Sequence, residues 1–169
     1  MSDGNPSERT FEGYQQGDDI SLSSYGVLAG AFNLIFAGFL LVARLAGRSI
    51  PERVDARDIA LLGMATHKLS LVGSQDAITS PLRAPFTELR EKESPKEVHE
   101  KPRGGGLRRS VGELLTCKFC LSVWVASLFT YGLVFAPRVT RLVAALFSVV
   151  TVSDYLHQAY KALMKVASN

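Results

Sequence analysis

Cysteine is almost absent from this 169-residue chain: Cys117 and Cys120 stand alone, three positions apart. Two cysteines do not make a disulfide framework of the kind that staples small secreted domains. A basic opening is missing as well. The chain begins Met1-Ser2-Asp3-Gly4-Asn5-Pro6-Ser7, and its first apolar run starts only near Leu22. That run is therefore expected to stay as a membrane anchor and not to be removed as a signal peptide. No long stretch carries one sign of charge. In the central part Glu88, Arg90, Glu91, Lys92, Glu93, Lys96, Glu97, Glu100 and Lys101 interleave, which reads as solvated surface and not as a phosphate-binding stripe. No aromatics lie among them to stack on bases, so nucleic acid is not an expected partner.

Recognisable catalytic patterns are missing too. Gly104-Gly105-Gly106 follows no strand-like run and lacks the lysine context of a phosphate loop. There is no nucleophile elbow, no HExxH pair and no pair of carboxylates within an apolar run. The sequence points away from an enzyme.

What the chain does have is apolar length. Leu22 to Ala43 runs without a charge and ends at Arg44. At ~1.5 Å rise per residue such a helix covers a hydrocarbon core of ~30 Å. Leu114 to Ala136 is a second apolar run, with Lys118 its only charge, and Val139 to Val152 a third, with Arg141 its only charge. Only Pro137 and Arg138 separate the last two, which predicts an antiparallel helical hairpin. A fourth segment, Ala56 to Gly73, is weaker: Thr66, His67, Lys68 and Ser70 interrupt its aliphatics, and it reads either as a short crossing helix with a polar face turned to its neighbours or as an interfacial one. The fold class expected is all-α, an integral membrane helical protein with three or four membrane-embedded helices. Residues 1–20 read as a polar flexible tail, residues 21–166 as the membrane helical domain, and about 87–110 as an exposed, mobile charged loop. Lys and Arg are densest in that loop, which places it and the C-terminus, with Lys161 and Lys165, in the cytoplasm of a multi-pass inner-membrane protein.

Two stretches carry a specific pattern: THKLSLVGSQDAITSPLRAPF and, after the charged spacer, GELLTCKFCLSVWVA. Lys68, Asp76, Ile78, Thr79, Pro81, Arg83, Leu114, Cys117, Cys120 and Trp124 occupy their marked positions. In these the chain resembles an uncharacterised bacterial membrane family, domain of unknown function 1360, over roughly residues 56–155. It departs from the family pattern at His67-Lys68, where a Tyr-Arg-like pair is expected, and at Lys118-Phe119, where the middle of the CxxC contains proline. The resemblance implies membrane location and a shared structural motif at Asp76, Pro81, Arg83 and Trp124, and it implies no activity.

The CxxC carries three readings. Cysteines at i and i+3 share one helix face, and a helix N-terminus with Lys118 nearby favours a thiolate. That suits thiol redox chemistry, or half of a zinc or iron site in which His67, His157 or a second copy supplies the missing ligands. Plain helix packing is the third reading. Asp76 and Arg83 are expected to pair across the Thr79-Ser80-Pro81 turn, stapling it, with an anion or headgroup site as the functional alternative. His67 and Lys68 in an apolar segment call for partners or for snorkelling, and Asp154 with His157 offers a relay or solvated ends. Asn33, Thr66, His67 and Asp154 are a thin set for a solute path. The reading is a non-enzymatic interaction or scaffold protein with lipid around it and a homo-oligomeric or protein partner. The alternative is a metal-binding or thiol-redox membrane protein centred on Cys117 and Cys120.

Overall fold

The computed structural model describes residues 22–92 and 97–168, so the tail expected at residues 1–20 lies outside the described residues. The elements in chain order are α1 (Leu22–Leu45), α2 (Ala56–Gln75), a 3₁₀ turn (Ala77–Thr79), α3 (Ser80–Arg83), β1 (Thr87–Lys92), β2 (Val98–Pro102), α4 (Gly106–Thr116), α5 (Lys118–Phe135) and α6 (Pro137–Ala167).

Local chemistry sets the helix ends. Gly47, at φ +63°, closes α1: the Arg48 amide donates to the Ala43 carbonyl at 2.9 Å and the Gly47 amide to Arg44 at 3.1 Å, a left-handed cap that a side chain would strain. Asp55 opens α2 by accepting from the Arg57 amide at 3.0 Å. Pro137 opens α6, where its missing amide hydrogen costs nothing.

Cross-helix contacts give the helix directions. Phe32 meets Trp124 edge-on at 5.3 Å, and Phe39 stacks on Tyr131 at 4.2 Å and meets Phe135 at 5.7 Å, so α1 and α5 run the same way. The Ser148 hydroxyl donates to the Leu61 carbonyl at 2.7 Å and Thr151 to Met64 at 3.1 Å, so α2 and α6 also run together. Only Ala136 separates α5 from α6, which are therefore antiparallel. Thr140, Ala144, Ser148 and Thr151 form a buried small-residue stripe on α6 that lets α2 approach closely. Where α5 and α6 meet, a Cβ on Gly132 would stand 2.4 Å from the Thr140 hydroxyl oxygen, so glycine is what lets the hairpin close.

The core is small: Leu62, Ala65, Val125, Phe129 and Ala144, with Leu61, Leu69, Leu121, Leu133 and Phe147 around it. Most of the apolar bulk points outward instead, with Leu34, Leu142 and Val149 each more than two-thirds exposed. A protein in water buries such side chains; one solvated by lipid does not. Helices α1, α5 and α6 are long and apolar enough to cross a membrane, by length and composition.

Three sequence expectations are corrected. The stretch from residue 87, expected to be a loop, contains an antiparallel hairpin pairing Thr87 with Pro102 and Lys92 with Val98, with an irregularity between Leu89 and Glu91. The triglycine does follow a strand, β2, and leads into α4. The helix expected from Leu114 begins at Gly106 and breaks at Cys117, so the cysteines sit at a bend between two helices and not within one.

Candidate functional site

Three places in the fold concentrate polar chemistry. The first is a buried knot at the end of α2. Arg83 is 1% exposed. Its Nε and Nη2 grip the Glu100 carboxylate at 2.9 and 3.0 Å, and Nη1 donates to the Gly73 carbonyl at 2.8 Å and to Thr79 Oγ1 at 2.5 Å. Nη2 also donates to the Asp76 carbonyl at 3.1 Å. Glu100 in turn accepts from Ser80 and Thr87, each at 2.7 Å. One guanidinium thus ties the end of α2, the 3₁₀ turn and β2, and Glu100 carries the link on to α3 and β1. The bidentate fork with three further acceptors is a geometry that arginine fits and lysine does not. Burial pushes the Glu100 carboxyl up, but the hydrogen bonds from Arg83, Thr87 and Ser80 outweigh it and hold the group below its ordinary value.

The expected Asp76–Arg83 ion pair is corrected here: the carboxylate on Arg83 is Glu100, and Asp76 offers its backbone carbonyl. Asp76 makes no side-chain cap to the turn. Pro81 starts the short α3, where its ring sets the turn, and Trp124 joins α5 to α1 through Phe32. Glu100 was invisible in the sequence, one acid in a run of mixed charge with nothing to mark it.

The second place is a cleft of about 410 Å³ at the same end, between α2, the approach to β2 and α6; His67, Lys68, Asp76, Asp154, His157 and Lys161 are among its lining. Lys68 is buried and donates to Asp154 at 2.6 Å, so it is ion-paired and does not snorkel. His67 lies parallel to the Tyr155 ring at 6.2 Å. At the far end of the same two helices Arg141 grips Asp58 through two bonds of 2.8 Å.

The third place holds the cysteines. Cys117 caps α5 with φ −92° and ψ 103°, its sulfur accepting from the Cys120 amide at 3.2 Å. Both thiols line an apolar groove of about 570 Å³ between α1 and α5, with Tyr25, Glu113 and Trp124. Tyr25 donates to Glu113, which also pairs with Arg109 at 3.1 Å. Burial raises the Cys117 thiol, but hydrogen bonds from the Cys120 thiol and from the Cys120 and Phe119 amides outweigh it, and the net shift is downward. His67 and His157 lie in the cleft and not in this groove, so the structure does not gather them with the cysteines. Among the described residues no three His, Cys, Asp or Glu side chains converge to hold a metal ion.

The family described as protein of unknown function DUF1360 matches residues 61–160, more than half of the chain. The chain belongs to the DUF1360 family. It is also similar to the protein named sporulation protein YjcA of Bacillus subtilis (strain 168), 28% identical over 99 residues, 57% of this chain and 84% of that protein. No solved structure matches. The DUF1360 match begins inside α2 and ends inside α6, so it takes in the Arg83 knot, the hairpin, the cysteine cap and all of the named cleft residues but Lys161, while α1 lies outside it.

Proposed function

We propose that this DUF1360 protein is a multi-pass interaction or scaffold protein of the bacterial inner membrane that presents its β-hairpin and α4 as a fixed platform on the cytoplasmic side. The observation that carries this reading is the Arg83–Glu100 knot. Every donor of a buried arginine is spent on holding the hairpin to α2 and none is left pointing at a ligand. Such a network rigidifies a surface. The outer face it fixes is charged with both signs, Glu88 pairing with Lys101 and Arg103 at 3.5 and 3.3 Å.

The helix directions support four crossings. Helices α1 and α5 are both long and apolar enough to span, and they point the same way. A chain that crosses twice in one direction must cross back between, and α2 is the helix that lies between them in sequence and runs opposite. The hairpin, the start of α1 and the end of α6 then share one face, and the 46–55 connection with Arg48 and Arg53 lies on the other. Lys and Arg are denser on the hairpin face, which orients it to the cytoplasm. A membrane-impermeant maleimide, applied to intact cells carrying single cysteines in a cysteine-free background, is expected to label position 49 and spare position 88. Labelling at both positions or at neither, or the reverse pattern, would overturn the topology.

The interaction reading is tested in cells with a photocrosslinking residue at Glu88 or Lys101. Discrete protein adducts are expected, a doubled mass marking a second copy of this chain. They are expected to vanish in an Arg83→Met background with the protein still in the membrane. Absence of adducts, or adducts indifferent to Arg83, would overturn it. The similarity to a protein named for sporulation supports that process as the setting, so cells entering sporulation are compared with growing cells.

A further inference from the structure

Cys117 and Cys120 are not absorbed by the platform reading. Cysteines used as packing residues are enclosed, as Ala43, Ala65 and Ala144 are in this protein, each at 0% exposure. Cys117 is only half-buried and Cys120 is exposed, so neither is enclosed in the core as those alanines are. A metal site lacks its third ligand among the described residues. What the geometry does provide is two free thiols on one turn at the mouth of a groove. The Cys117 sulfur already lies 3.2 Å from the Cys120 amide nitrogen and accepts a hydrogen bond from the Cys120 thiol, so the two sulfurs are in contact across the cap.

We propose that Cys117 and Cys120 form a reversible dithiol–disulfide couple that exchanges with external disulfides at the membrane surface, Cys117 attacking and Cys120 resolving. The roles follow from position. Cys117 stands at the bend, outside the apolar run, with amide hydrogens directed at its sulfur, where a thiolate is stabilised. Cys120 is one turn into α5 with its amide against the Cys117 sulfur, so it stands where a resolving thiol must. In the first step the Cys117 thiolate attacks one sulfur of an external disulfide; that S–S bond breaks, a mixed disulfide forms, and one thiolate leaves. In the second, Cys120 gives up its proton and its sulfur attacks Cys117 Sγ. The intramolecular disulfide forms and the second external thiolate leaves. The protein loses two electrons and the external disulfide gains them, while the protons of the two cysteines end on the two thiols released. The reverse sequence reduces the protein.

The bend gives the couple a mechanical reading as well. Cys117 ends α4, whose Glu113 holds Tyr25 of α1, so the bond forms at the joint between the platform and the two helices that line the groove, α1 and α5. This inference is independent of the scaffold reading, since a scaffold without redox activity and a redox couple without a scaffolding partner give different results.

The test uses the full chain in nanodiscs, equilibrated with glutathione disulfide and glutathione at graded ratios, quenched in acid and labelled with a mass-tagged maleimide. Both thiols are expected to disappear together in one two-electron transition, with no dimer on a non-reducing gel. Cys120→Ser is expected to accumulate a glutathione adduct at Cys117, and Cys117→Ser to react with glutathione disulfide at least about tenfold more slowly at neutral pH. Size-exclusion profiles matching the parent confirm that both variants are folded. Full labelling at every ratio, an intermolecular disulfide alone, or an adduct that accumulates on Cys120 instead would each overturn the proposal.

Discussion

Replacing Arg83 by Met is expected to destabilise the protein by about 3–5 kcal/mol, because it leaves Glu100 charged and enclosed with no cation. The melting temperature should fall on the order of 10 °C, and amide protons of β1 and β2 should lose protection before those of α5 and α6. Arg83→Lys should recover little: an ammonium cannot grip both Glu100 oxygens and also reach the Gly73 and Asp76 carbonyls. The paired change Arg83→Met with Glu100→Met should be milder than the single one, since removing both charges leaves none uncompensated. A paired change at least as harmful as Arg83→Met alone would show that the knot acts through shape and not through charge. Acid should act like the single change. The Glu100 carboxyl lies below its ordinary value in the folded protein, so its contribution is fully present above about pH 4.3. It is lost as pH falls through the depressed value. Hairpin protection measured down a pH series should therefore collapse below that point, and in the Glu100→Gln variant the acid-induced loss should be missing.

That knot also shows what the sequence could and could not display. Apolar runs with at most one charge mark α1, α5 and α6 because lipid, acting as solvent, selects composition directly. Helix α2 was ambiguous because its polar groups are turned to a neighbour: Asp58 to Arg141, Lys68 to Asp154, and the Leu61 and Met64 carbonyls to Ser148 and Thr151. A hydropathy average cannot see a partner 83 or more positions away. The hairpin was missed for a related reason. Strands announce themselves by apolar alternation, but the inward positions here include Thr87 and Glu100, polar residues whose burial is made tolerable by Arg83. The bend at Cys117 was hidden because a thiol stands where a hydroxyl or carboxylate usually caps, so the apolar pattern reads straight across it. The sequence did mark Arg83, Asp76 and the CxxC as unusual. It assigned Arg83 the wrong carboxylate because proximity in the chain was the only guide.

The ion pair between Lys68 and Asp154 should respond unequally to the loss of its two members. The lysine side chain is 9% exposed and the aspartate 49%. Asp154→Leu strands an enclosed cation beside the apolar spans, and about 3 kcal/mol or more should be lost. Lys68→Leu removes the enclosed charge and leaves an aspartate that water still reaches, so it should cost about 1 kcal/mol or less. The double replacement should resemble Lys68→Leu, because what harms the protein is the abandoned cation and not the missing bond. Thermal unfolding of the three variants in one detergent reads the order directly, and equal losses in the two single variants would sink the argument. The opposite end of the same helix pair supplies the mirror image. There the enclosed member is the acid, Asp58 at 12%, and the exposed one is Arg141 at 51%. Arg141→Leu should accordingly be the harmful change and Asp58→Leu the mild one. Helix α2 thus carries both enclosed charges, Asp58 and Lys68, and α6 supplies both exposed partners, Arg141 and Asp154. The two pairs fix the register of α2 against α6 and let a helix of mixed polarity lie among apolar ones.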